Sequence, residues 1–160
     1  MARLSKPSLI AVTFLVASWG VPSARATEPP ADLCSLLTAA QVSKTLGRTY
    51  DSPVKTVAPR PYPNTAEGTD CKYSTKGGSE LWFRAYVDPS PSAAKELFAK
   101  LKMFYSPPTP VPNLGDEAYF DPQHAIHVRK GKVRFYLNLG EDAAAEKPLK
   151  DLASQVAGRL

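Results

Sequence analysis

Catalytic vocabulary is scarce in this chain: two cysteines and two histidines in 160 residues, and no short motif that makes chemistry out of them. No Cys-x-x-Cys pair is present, which removes a dithiol redox centre, and no cysteine or histidine spacing matches a zinc site. A Gly-x-Ser-x-Gly elbow is missing, and Ser74, Ser79, Ser90 and Ser92 fall in turn or cap contexts where hydroxyls have structural work. Gly77-Gly78 precedes a strand rather than a helix, so it cannot cradle a phosphate at a helix N-terminus. No run of 18 apolar residues, no heptad array and no like-charge tail occurs, which leaves out a spanning helix, a coiled coil and a polyionic arm. No cofactor is therefore expected.

What is present first is an address. Arg3 and Lys6 precede an apolar stretch from Leu9 to Trp19, then Gly20 and Pro22, then Ala24-Arg25-Ala26. This order is that of a secretory signal with cleavage after Ala26. This stretch of eleven residues falls well short of the roughly 20 that cross a bilayer as a helix. Residues 1–26 are thus expected to leave, with no stable membrane insertion afterwards, and residues 27–160 to form a single domain in the periplasm or outside the cell. The signal carries away Arg3, Lys6 and Arg25 and no acid, so the formal charge drops from +5 to +2. With that, the compositional case for a nucleic-acid partner goes.

Cys34 and Cys71 both lie in the mature part. In an oxidising compartment two such cysteines read as one disulfide. The loop of 37 residues between them would stabilise the fold by about 4 kcal/mol in the chain-entropy account. As a lipid-attachment site Cys34 lacks small residues before it, since Ala31-Asp32-Leu33 precedes it.

Periodicity supplies the elements. Thr38-Ala39-Ala40-Gln41 has the form of a capping box, with Leu37 and Val42 placed as a staple and Gly47 as a stop. A helix from about 39 to 46 follows. Val54 to Val57 reads as a strand, and Pro59, Pro61 and Pro63 make the next stretch extended. From Cys71 to Val87 period two prevails, broken by a turn at Lys76-Gly77-Gly78-Ser79. Ser90-Pro91 opens a second helix with the stripe Ala94, Leu97, Phe98, Leu101, Tyr105. Pro107 to Pro112 is expected as a stiff connector. Two turns, Asp121-Pro122-Gln123-His124 and Lys130-Gly131, separate three strands, and Leu149, Leu152, Ala153, Val156 and Leu160 form a closing helix. The order is α-β-ββ-α-βββ-α. The fold class expected is α+β: an antiparallel sheet of two hairpin units with about three helices packed on one face. Leu81 to Val87 and Val133 to Leu139 echo each other, which reads either as an internal duplication or as two ordinary hairpin strands.

Cys34-Ser35-Leu36-Leu37-Thr38, Asp70-Cys71-Lys72-Tyr73 and Leu114-Gly115-Asp116-Glu117-Ala118-Tyr119 ahead of Val128-Arg129-Lys130-Gly131 give the chain a likeness. It resembles a domain-of-unknown-function family of small bacterial secreted proteins and lipoproteins, best represented in actinobacteria. The resemblance implies a disulfide-bonded α+β domain and assigns no activity and no functional residue.

Two constellations carry functional readings. Parity puts Leu81, Phe83, Val133 and Phe135 on a core face and Trp82, Arg84, Tyr86, Arg134 and Tyr136, with His127 and Arg129, on the outer one. Aromatics beside cations suit contact with an envelope protein, a glycan or an anionic polymer; the plainer reading is that the rings cover the sheet while the basic stems lie over them. A homodimer pairing those faces is a third. Separately, Asp116, Asp121, His124 and His127 are near in sequence, the basis for a small metal-dependent hydrolase. Against it, i and i+3 on a strand point to opposite faces, so the plainer reading is a polar turn followed by a solvent-facing histidine. The expectation adopted is an exported, non-enzymatic binding or accessory domain with the aromatic and basic sheet face as its contact surface.

Overall fold

The computed structural model describes residues 28–140 and 145–160. The expected signal peptide lies outside the described residues. A 3-10 turn at Leu33–Leu36 leads into α1 (Ala39–Leu46), then β1 (Val54–Ala58), β2 (Gly68–Ser74) and β3 (Glu80–Val87). Next come α2 (Pro91–Phe104), β4 (Thr109–Pro110), β5 (Glu117–Phe120), β6 (Ile126–Lys130), β7 (Val133–Asn138) and α3 (Glu146–Ala157). The strands make one seven-stranded antiparallel sheet in the order β1-β2-β3-β7-β6-β5-β4. The expected α+β class with an antiparallel sheet is therefore what the chain adopts.

Local chemistry explains the first helix. Thr38 Oγ1 accepts from the Gln41 amide while the Gln41 side chain accepts from the Thr38 amide, closing the capping box. Leu37 and Val42 on either side of it are fully buried, and Gly47 at φ +65° turns the chain out in a left-handed conformation that glycine adopts without strain.

Tyr73, Leu81, Phe83, Ala85, Ala118, Ile126, Val128, Val133, Phe135 and Leu137 face one side and are buried. On this core face Phe83 meets Phe135 edge-on with ring centroids 5.9 Å apart. Leu149, Leu152, Ala153 and Val156 of α3 and Val42 of α1 close over it. The Cys34–Cys71 disulfide, with Cα atoms 5.7 Å apart, ties the 3-10 turn to β2, and the buried Tyr73 hydroxyl donates to the Leu37 carbonyl.

Helix α2 departs from expectation: it lies on the opposite face. Phe98 meets Tyr119 at 5.2 Å and Tyr105 meets His127 at 5.0 Å between ring centroids, and Tyr119 and His127 are cross-strand partners on the face away from the core. Strand parity says which residues share a face, but not which face a following helix takes. The core face is already closed by α1 and α3, whereas α2 carries aromatics that match an aromatic strand surface. The two sheet halves thus share a strand plan but not a helix placement. A second difference is β4, a two-residue strand inside the proline-rich connector.

Within the α2 stripe only Ala94 and Phe98 are buried, while Leu97, Leu101 and Tyr105 are half-buried. Leu101→Ala should accordingly cost about 1 to 2 kcal/mol in urea denaturation, below the about 2 to 5 kcal/mol of a fully buried leucine. A loss in the upper range would place Leu101 inside.

Candidate contact face

The outer face is organised in rows that cross the strands. Its middle row reads Tyr119, His127, Tyr136, Arg84, Asp70 and Thr56 by register. Tyr119 and His127 are stacked at 4.8 Å with planes 8° apart, and His127 and Tyr136 follow at 5.4 Å. Arg84 lies 5.5 Å from the Tyr136 ring centroid and grips Asp70 with Nε and Nη2, the latter at 2.7 Å. Burial raises the Tyr136 and Tyr105 hydroxyl pKa values above the ordinary phenol range. These phenols are neutral hydrogen-bonding groups at physiological pH.

A second row reads Glu117, Arg129, Arg134 and Tyr86. Here the chain buries its charges in pairs. Arg134 forks onto Asp88 at 2.5 and 3.0 Å, with side chains 3% and 1% exposed, and its guanidinium carbon sits 5.1 Å from the Tyr86 ring centroid. Tyr86 donates to the Pro59 carbonyl at 3.0 Å. A Cβ on Gly68 would lie 2.6 Å from the Tyr86 ring, so glycine leaves that ring its room. Lys102 of α2 bonds Glu117 at 2.9 Å.

The five residues singled out for contact therefore divide. Arg84, Tyr86, Arg134 and Tyr136 are brought together, but Tyr86 and Arg134 are buried among paired charges and α2, while Arg84 and Tyr136 are half-buried. Trp82 is half-buried one row further on, with Lys72 Nζ 5.5 Å from its ring centroid. Lys72 in turn bonds Glu80 at 3.0 Å.

Of the four residues of the hydrolase reading only Asp121 and His127 are brought together, and Asp116 and His124 bond elsewhere. Asp116 accepts from Arg129 Nη1 and the Gly131 amide, both at 2.8 Å. Asp121 accepts from the Gln123 and Ala125 amides and lies 2.9 Å from His127 Nε2. His124, in the turn at φ +61°, is 2.8 Å from Glu146 instead. Among the described residues no three His, Cys, Asp or Glu side chains form a group that could hold a metal ion. His127 is buried rather than facing solvent, because α2 brings Tyr105 over it. Burial pushes the Asp121 carboxyl up, but the His127 bond and the two amides outweigh it and hold the net pKa below the usual carboxylate value. Such a depressed acid stabilises the fold fully above the unfolded pKa near 4 and loses that contribution as pH falls through the lower folded value. Asp121→Asn should therefore flatten the acid limb of the stability curve, read as Tm against pH; an unchanged acid limb would count against this bond.

The Leu114-to-Tyr119 motif also resolves into structure. Gly115 sits at φ +61°, and a Cβ there would approach the Arg129 carbonyl oxygen to 2.5 Å. Asp116 beyond it clamps the following hairpin, so the motif fixes a close backbone crossing.

Sequence reasoning missed a cleft of about 580 Å³ at the Trp82 end of the sheet. Its lining includes Arg48, Tyr50, Ser79, Glu80, Trp82 and Asn138. These positions come from the exit of α1, the β2–β3 hairpin and the end of β7. The one local signal is Gly47, whose turn sends Arg48 and Tyr50 back toward the hairpin. No family model, curated protein or solved structure matches the chain.

Proposed function

We propose that the mature chain is an exported binding or accessory domain without catalysis of its own, working in the periplasm or outside the cell, and that its contact surface is the Trp82 end of the aromatic and basic face. The observation that carries this reading is the contrast along that face. Tyr86, Tyr119, Arg134 and His127 are committed inward, whereas Trp82 stays partly accessible at the rim of a cleft with polar side chains from three elements. Concave sites with one large aromatic and a few convergent polar groups are where ligands usually bind. Arg84 and Tyr136 form the next row beside Trp82, and Arg84 is held there by Asp70. Among the described residues no helix is long and apolar enough to cross a membrane, and a formed disulfide fits an oxidising compartment. The likeness to small secreted bacterial proteins belongs to the same proposal.

Capture from native envelope extract tests it. Wild-type mature protein should retain a partner that Trp82→Ala binds at least tenfold more weakly, the scale of an aromatic anchor, with both proteins folded by circular dichroism. A folded Trp82→Ala that captures as well as wild type would remove this end of the sheet from the functional account.

A further inference from the structure

A second cleft, of about 600 Å³, adjoins the first and is lined by Arg48, Thr49, Asp51, Thr75, Lys76 and Ser79 among others. Arg48 and Ser79 belong to both linings, so the two hollows meet at one side-chain pair, with Arg48 Nη1 donating to Ser79 Oγ at 3.0 Å. Hydrogen bonds shape the surroundings. The Ser79 amide donates to Thr75 Oγ1 at 3.0 Å, the Gly78 amide to the Thr75 carbonyl at 3.0 Å, and the Tyr50 amide to Ser43 Oγ at 2.9 Å. Asn138, whose Oδ1 accepts from the Gly140 amide at 2.7 Å, also lines the first cleft.

The chemistry of the two halves differs. The Trp82 half offers the indole, with Lys72 Nζ over one side of it, the Asn138 side-chain amide, and Glu80, whose Oε1 is engaged by Lys72 and whose second oxygen can accept. The other half offers two cations, Arg48 and Lys76, with hydroxyls from Thr49 and Ser79. Resting on the contact surface proposed above, we infer that the joined clefts form one site for an acidic sugar: the ring lies against Trp82, and an isolated anionic group meets Arg48 and Lys76. Sugar hydroxyls both donate and accept, and so need the mixed lining the Trp82 half provides. A densely charged polyanion fits worse, since Glu80 and Asp51 put two carboxylates into the same walls. A planar guanidinium suits a carboxylate or phosphate better than it suits a neutral group.

Trp19 and Trp82 are the two tryptophans of the chain, so cleavage after Ala26 leaves Trp82 as a single fluorescent reporter inside the proposed site. The probes are a hyaluronan tetrasaccharide, which carries carboxylates, and chitotetraose, a neutral chain of the same length. Hyaluronan should shift the Trp82 emission saturably, and Arg48→Gln with Lys76→Gln should weaken it about tenfold or more, with circular dichroism unchanged. Calorimetry should show the same loss, and the wild-type affinity should fall as salt rises. Equal binding of chitotetraose and hyaluronan would overturn the acidic-sugar inference while leaving the Trp82 surface standing. No response to either sugar would overturn it too, and the envelope capture with Trp82→Ala then decides the surface separately. Retention of full hyaluronan affinity by the Arg48, Lys76 double variant is the third overturning result.

Discussion

Arg134→Ala should destabilise the protein by about 3 to 5 kcal/mol, the cost of stranding one member of a buried ion pair. By strand parity alone Arg134 sits on the outer face, away from Leu81, Phe83, Val133 and Phe135, and its loss would be harmless to the fold. The structure reverses that. Arg134 and Asp88 are almost wholly shut off from water, so truncating the arginine leaves a carboxylate without its partner in a low-dielectric site. The Tyr86 ring loses its cation in the same step. A paired replacement, Arg134→Met with Asp88→Leu, should recover most of the loss, because removing both charges also removes the desolvation cost. Arg84→Ala makes the useful comparison: its partner Asp70 is 7% exposed, but the Arg84 side chain is 24% exposed, so water can enter where the guanidinium was and screen the carboxylate; its cost should be smaller. Guanidinium denaturation of the four proteins checks this. An Arg134→Ala loss within about 0.5 kcal/mol, the range of ordinary surface changes, would show that water reaches the pair.

How far the sequence carried can be judged from such residues. Rules of short range read well: the Thr38 and Gln41 box, the Gly47 stop, the Ser90 cap and the alternation of β3 and β7 depend on neighbours within a few positions, and each is found where it was expected. The Cys34–Cys71 pairing was legible because two cysteines admit one intramolecular bond. Parity likewise gathered Trp82, Arg84, Tyr86, Arg134 and Tyr136 onto one face. It could not say which of them are covered, because cover comes from α2 and from the Pro59 carbonyl, whose positions depend on packing between distant segments. The cleft is illegible for the same reason. Arg48, Glu80 and Asn138 are widely spaced in sequence, and their meeting depends on the β3–β7 pairing and on the route of the chain after α1.

Loss of the disulfide should cost about 4 kcal/mol, since the bond closes 37 residues and removes that loop's freedom from the unfolded chain. For a domain whose whole stability is on the order of 5 to 15 kcal/mol, Cys34→Ala with Cys71→Ala should lower Tm by roughly 10 to 20 °C. Mass spectrometry of non-reduced protein should find Cys34 linked to Cys71, and reduction should give a Tm close to that of the double variant. The effect should also reach the cleft. The loop between the cysteines contains α1, Arg48, Tyr50 and β1, and both sulfur-bearing residues are buried against Leu36 and Leu37 in the core. Freed of its anchor on β2, the 3-10 turn loses its hold on the start of α1, and the wall that carries Arg48 and Tyr50 loosens against the hairpin that carries Trp82. Trp82 emission should consequently shift toward that of a solvated indole at temperatures where far-ultraviolet circular dichroism is still native. Two free thiols in protein recovered from an oxidising compartment would sink the pairing. An unchanged Trp82 spectrum in a destabilised double variant would confine the disulfide to stability and detach it from the cleft.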